Sequence, residues 1–453
     1  MMERTTPRPA ATPQPHRLAW RAVGIYLPVL ALVVAAFLII RNVNEGGGTT
    51  ASLTTIDPQH AQQLNANIAF FEERVVETKD SLSYNKLTGF YLQRFREAGD
   101  TADIRRAELS ATKSLAAAPD DYAGRINLAL VKIVQHDFTA ALDLTTKAKD
   151  EISTRPDAYA VLGDAQFALG KYAEATESYK FYLDGAPGFG AFVRQAALAE
   201  IRGNVPLAEQ FWQAAIRSEE LSGPENAAWA RVQLGNLFAT NGEQAKAKRQ
   251  FEDSLRIYPG YHLAQGGLAK VAGASGDYPR AIALYQQSTA RIPTLDFVVA
   301  LGEVYERAGR PEEAARQYAL VGAIGGLLTA AGVRSDLSLI SFELDHGANP
   351  AGQVATAQRA YEERPSVNGA DVYAWALYRA GRFDEARTKS DEALRLGTIE
   401  PILYFHAGMI AAKQGDAERA KTHLSKALAI NPKFSLRFEN EARETLKALE
   451  GGK

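Results

Sequence analysis

Seven histidines are the first residues to weigh for chemistry: His16, His60, His136, His262, His346, His406 and His423. No two of them share a helical metal-ligand spacing with a carboxylate between, and the H-E-x-x-H pattern is absent, so no metal site is expected. A lone imidazole such as His406, at an inner helix position, is expected to pack rather than to ligate. The chain has no cysteine, which removes disulfides, thiolate nucleophiles and cysteine-based zinc sites. Glu312 and Glu313 follow Pro311 at a helix start, where carboxylates favour the helix dipole, and Glu362-Glu363 reads as a solvated helix end. Gly266-Gly267 and Gly325-Gly326 neither follow a strand nor lead into Gly-Lys-Ser/Thr, so they are not phosphate loops. Serines occur without the nucleophile-elbow pattern G-x-S-x-G. No catalytic constellation and no cofactor site emerges, and a non-enzymatic protein is expected.

The elements behind these residues are short helices in pairs. In Pro401 to Pro432, Tyr404, Ala407, Gly408 and Ala411 fall on one helical face, Gly415-Asp416 breaks the helix, and Ala417, Ala420, Leu424 and Ala427 form a second face. Neither helix buries its stripe alone. Similar turns stand at His136, Gly170, Gly203, Gly242, Gly276, Gly309, Gly347, Gly381 and Gly415, with successive spacings of 34, 33, 39, 34, 33, 38, 34 and 34 residues. A period near 34 is the mark of a helix-turn-helix array. Residues 156–187 supply Tyr159, Leu162, Gly163, Gly170, Tyr172, Ala175, Tyr179 and Pro187. In type and spacing this set resembles the tetratricopeptide repeat family, and the resemblance implies an all-α, right-handed superhelical solenoid.

The family's ligand face implies where a partner would sit. Repeat positions two, five, nine, twelve and thirteen line the concave groove, and here they include Asp157, Asp164, Glu200, Trp229, Asn236, Asp296, Glu303, Glu306, Asp371, Trp375, Tyr378, Arg379, Phe405 and Met409. Trp229 and Trp375 are candidate anchors for a protein partner, with packing against a neighbouring repeat as the alternative. The family's basic clamp for C-terminal carboxylates is not expected, because Asn236 matches its pattern but Val232, Leu263 and Gly267 stand at the other positions. Trp229, Trp375, Tyr378 and the acidic lining also suit a glycan or another polymer in envelope export.

The rest of the chain sets the location of this array. Ala22 to Ile40 carries no charge over nineteen residues, about 28 Å as a helix and enough to cross a bilayer. Pro28 is tolerated in such a span. Arg4, Arg8, Arg17 and Arg21 precede it and Arg41 alone follows closely, which places residues 1–21 in the cytoplasm as a disordered tail and the repeats on the extracytoplasmic side. A cleaved signal peptide, with Val34-Ala35-Ala36 as the site, is the competing reading. Residues 41–55, with Gly46-Gly47-Gly48, read as a flexible linker, 56–120 as a degenerate helical cap, 121–432 as the solenoid and 433–453 as a C-terminal capping helix over Phe434 to Leu449. Extra residues are expected at Arg217 to Glu225, in a lengthened second helix ended by Ser222-Gly223-Pro224, and at Gly322 to Asp336, with Gly332 as the cap. Residues 1–41 hold five arginines and one glutamate, leaving 46 basic against 52 acidic residues beyond them. That mild acidity argues against nucleic acid as a partner. As a whole the chain is similar to membrane-anchored bacterial repeat proteins, so a membrane-tethered, protein-binding scaffold is the expected function.

Overall fold

The computed structural model describes residues 58–219, 224–334, 336–347 and 349–451. The expected tail, membrane span and linker lie outside them. Among the described residues no helix is long and apolar enough to cross a membrane. Those residues form 22 α-helices and one short 3-10 helix, and each helix packs mainly on its neighbours in sequence, as a solenoid requires. Three helices open the array, Pro58–Thr78, Ser81–Ala98 and Ala102–Ala117. Pairs follow from Tyr122–Val134 with Phe138–Glu151 to Pro401–Lys413 with Ala417–Ile430.

One steric key recurs in four of the pairs. A Cβ built on Gly163 would lie 2.3 Å from the Tyr179 ring, so the small residue of the first helix exists to seat the large residue of the second. The same pairing joins Gly235 to Phe251, Gly302 to Tyr318 and Gly408 to Leu424. Ala175, beside Tyr179 and Leu198, is fully buried for the same reason. Second helices begin on aspartates whose carboxylates accept from the backbone N–H three residues on, at Asp137, Asp277 and Asp416.

The array closes on itself. Tyr172 Oη accepts from Val367 N at 3.0 Å, Thr398 Oγ1 donates to Ile201 O at 2.5 Å, and Asn431 Nδ2 donates to Ala239 O at 2.9 Å. These partners are 195, 197 and 192 residues apart, about six repeats of the family length. Helix-turn corners of one superhelical turn thus abut the inter-repeat loops of the next. Gly170 and Gly203 have φ of 69° and 67°, and a Cβ on either would fall 2.2 Å from a carbonyl oxygen of that next turn, of Pro365 and Gly397 respectively. Only glycine satisfies both the left-handed backbone and the close approach.

Three expected features take a different form. At the first insertion the extra length falls in the first helix that follows, Pro224–Thr240, which has 17 residues against 13 for Pro156–Ala168, while Ser222 and Gly223 lie outside the described residues. The second insertion, by contrast, falls where expected: the helix Pro311–Ala330 has 20 residues, and Gly332 follows it at φ 86°. Gly347 does not repeat the left-handed corner; its φ is −69°, and the chain runs on into the 3-10 turn Pro350–Gln353. The last helix is Glu439–Gly451, so Phe434 to Phe438 precede it as irregular chain. Ser435 Oγ accepts from Arg437 N and Phe438 N, both at 3.2 Å, and this turn delays the helix start.

Candidate functional site

Stacking of the superhelical turns shapes the concave face into a lumen with three neighbouring, partly open chambers. The largest, about 490 Å³, is walled by the helices from Pro224 to Arg307 and by Asn431 to Leu436. A second of about 300 Å³ lies between Glu200, Trp212 and Thr240 on one turn and Thr398 to Glu400 on the next. Gln233 and Asn236 line both chambers. A third, about 80 Å³, reaches from His136 and Phe138 to Asp336 and Arg364, and shares Phe167, Ile201 and Asn368 with the second. The shared side chains set the three side by side along the concave face.

Its electrostatics follow from enclosure. Burial pushes the Glu200 pKa up to about 7, Glu400 across the chamber adds like-charge repulsion, and a hydrogen bond from Trp212 Nε1 pulls the other way. Glu400 is itself raised by burial, with Lys270 opposing and Asp371 adding to the rise. Asp296 opens onto the large chamber, yet the surrounding chain excludes enough bulk water to lift its pKa to about 6, helped by Asp336 and opposed by Ser338 and Lys270. At the narrow end desolvation drops His136 to about 4 and Arg364 to about 10. The walls therefore offer carboxamides, weakly acidic carboxyls and the lysines Lys270 and Lys433 between apolar patches. Such a surface can hydrogen-bond a peptide backbone and neutralise a cation.

The residues read from the sequence divide into two groups. Trp229, Asn236 and Glu303 line the large chamber, although Trp229 also packs edge-on to Trp212 at 5.6 Å. Glu303 lies 3.3 Å from His346 Nε2, and Glu306 faces Arg437 at 3.8 Å. Asp371, Trp375, Phe405 and Met409 are buried. His406 Nδ1 sits 3.0 Å from Asp371, the Trp375 ring stacks on Tyr378 at 4.6 Å and on His406 at 4.1 Å, and its Nε1 donates to Asp345 Oδ1 at 2.9 Å. Phe438 then stacks on Phe405 at 4.9 Å, so the C-terminal segment covers this second group. Arg379 ends the helix beside Tyr378. Of the wider stripe, Asp164 is taken by Arg194 and Tyr179, and Asp157 by Tyr122 and Arg155. Sequence reasoning passed over Gln233, Lys270, Asn368 and Glu400. Gln233 and Lys270 neighbour the chosen stripe, and Glu400 and Asn368 reach the lumen only because the next turn closes over it.

Profiles described as tetratricopeptide repeat match residues 267–325 and 374–433, and a second such profile matches 156–180. The chain carries tetratricopeptide repeats. The matched repeats include helices on both sides of the inter-turn contact. No curated protein matches the chain. Among solved structures, a tetratricopeptide repeat protein from Parabacteroides merdae is 19% identical, over 55% of this chain and 97% of its own, with a TM-score of 0.40. PilW, a widely conserved type IV pilus biogenesis factor, is 16% identical over 47% and 98%, with a TM-score of 0.39. Yeast Tom70 is 12% identical over 86% and 93%, with a TM-score of 0.37.

Proposed function

We propose that this protein is a non-enzymatic scaffold that holds an extended polypeptide in its lumen, tethered to a membrane by Ala22 to Ile40 with the repeats on the extracytoplasmic side. The observation that carries the reading is the row of three neighbouring chambers on the concave face, in which the carboxamides Gln233, Asn236 and Asn368 each line two. A carboxamide both donates and accepts, which matches the alternating groups of a peptide backbone in either direction. The glycan alternative rested on Trp229, Trp375 and Tyr378 as stacking faces beside an acidic lining. Trp375 stacks on two neighbouring rings and Trp229 sits among Phe189 and Trp212, so polypeptide is the better-supported ligand.

Crosslinking in membranes followed by pull-down tests this directly. One protein recovered in fixed stoichiometry, and lost in the Gln233→Ala/Asn236→Ala double variant with unchanged melting, supports the lumen. Undiminished capture by that variant places the binding surface elsewhere, and retention on envelope polysaccharide instead would restore the glycan reading. Orientation is read separately: protease added to intact spheroplasts should digest the repeats, and their full protection would refute an extracytoplasmic array.

A further inference from the structure

The narrow chamber of about 80 Å³ lies on the seam where two superhelical turns meet: Phe138, Phe167 and Tyr172 of one turn face Asp336, Arg364 and Ser366 of the next. Arg364 is the C-cap of the helix Val354–Glu363 and Ser366 the N-cap of Val367–Arg379. The close approach of Gly170 to the Pro365 carbonyl holds this connection against the other turn. Among the described residues the Arg364 guanidinium makes no hydrogen bond and no ion pair; it rests over the Phe138 ring, 5.5 Å from the centroid. Burial lowers its pKa to about 10, against the attraction of Asp336 and Glu363. A desolvated charge without a partner is costly to keep. The acids on the chamber wall do not supply one, because Asp336 Oδ1 accepts from Leu339 N at 3.0 Å and Asp164 is bonded to Arg194 and Tyr179. Hydrogen-bond donors stand beside the guanidinium. Tyr172 Oη and Ser366 Oγ accept from Val367 N and Gly369 N, at 3.0 and 3.1 Å, which leaves both hydroxyl hydrogens to donate, and Asn368 adds a carboxamide.

We propose that this chamber binds a small monocarboxylate, whose oxygens accept from Arg364 and the neighbouring hydroxyls while its short alkyl group faces Ile133, Phe138 and Leu337. Size sets the class: about 80 Å³ is well below the roughly 150 Å³ of a cavity that admits benzene, so acetate and propionate fit and aromatic acids do not. Charge sets it as well, since one unpaired cation beside the Asp336 carboxylate suits a single negative charge, whereas a phosphate dianion meets repulsion from Asp336. Arg364 and Ser366 come from one turn and Tyr172 and Phe138 from the other, so an occupied site bridges the seam that the bond from Val367 N to Tyr172 Oη already closes. A ligand that binds only the stacked form stabilises it. The site does not depend on what fills the two larger chambers.

The probe is acetate, compared with chloride at equal ionic strength on the purified full chain and its Arg364→Met variant. A ligand of four heavy atoms binds no tighter than about 40 µM, so the titration runs to about 100 mM. Acetate should raise the wild-type melting temperature by at least about 2 °C over chloride. The variant should gain nothing, and benzoate should raise neither protein. An equal gain in both proteins is a nonspecific salt effect and overturns the proposal, as does no gain in the wild type. Should the variant not fold, hydrogen exchange on the wild-type chain decides: acetate should slow exchange in 133–139 and 364–372 relative to chloride, and unchanged exchange there overturns it. The same slowing by phosphate would make this a general anion site and refute the monocarboxylate.

Discussion

Trp375→Ala is the substitution that separates a packed indole from an exposed anchor. The side chain is 3% exposed, stacked on Tyr378 and His406, edge-on to Phe438, and hydrogen-bonded through Nε1 to Asp345. Truncation removes those ring contacts and leaves a cavity, a loss of about 3–5 kcal/mol for a buried Trp. It also takes the indole donor from Asp345, whose carboxyl is already raised by burial, and an orphaned buried acceptor costs about 1–3 kcal/mol. The two terms overlap, so the expected total is about 3–5 kcal/mol. Trp375→Phe keeps most of the ring and loses the donor, and should cost about 1–3 kcal/mol. Urea denaturation followed by far-ultraviolet circular dichroism gives the totals. Because a solenoid opens locally, hydrogen exchange should show the loss concentrated in 367–451. A cost below about 1 kcal/mol for Trp375→Ala would place the indole at the surface and refute this reasoning.

Asp164→Ala strands the Arg194 guanidinium, now bonded to both carboxylate oxygens at 2.8 and 2.6 Å with both side chains under 10% exposed; urea titration should show a loss of about 3–5 kcal/mol, largely recovered by adding Arg194→Met. Glu200 binds its proton more tightly folded, at about 7, than at its ordinary 4.5, so its contribution to stability is present at low pH and lost as pH rises from 4.5 through 7. Glu200→Gln should therefore flatten that part of a melting-temperature profile and stabilise the chain at pH 8; an unchanged profile contradicts the enclosure of the second chamber. Gly203→Ala should separate the stacked superhelical turns and raise the radius of gyration in X-ray scattering, since its Cβ would meet Gly397 O. Gly415→Ala, at φ 77° but with nothing within 4 Å, should cost about 1–2 kcal/mol without changing shape.

The repeats were legible because small and large residues recur at fixed offsets, and the pairing of Gly163 with Tyr179 is a local fact that spacing alone encodes. The same period puts Asn236 and Glu303 on the chamber wall. Closure was not legible in that way. Thr398 and Ile201 meet across 197 residues, and no periodicity announces such a contact; Gly170 and Gly203 look in the sequence like any other corner glycine. The C-terminal segment had a signal that the helical reading overrode. Ser435 is that signal, a turn-forming residue whose hydroxyl accepts from Arg437 N and Phe438 N and so holds the helix start back to Glu439. The burial of Trp375 followed from that omission, since Phe438 covers it.

A photo-crosslinking residue placed at Asn236, inside the lumen, tests the central claim most directly when compared with the same residue at Glu418, whose side chain is 89% exposed on an outer helix. In membranes expressing the full chain, the account predicts an adduct from position 236 to one protein, mapped by mass spectrometry to a single extended segment, and none from position 418. Equal adducts from both positions, or none from 236, would contradict a lumen that holds polypeptide.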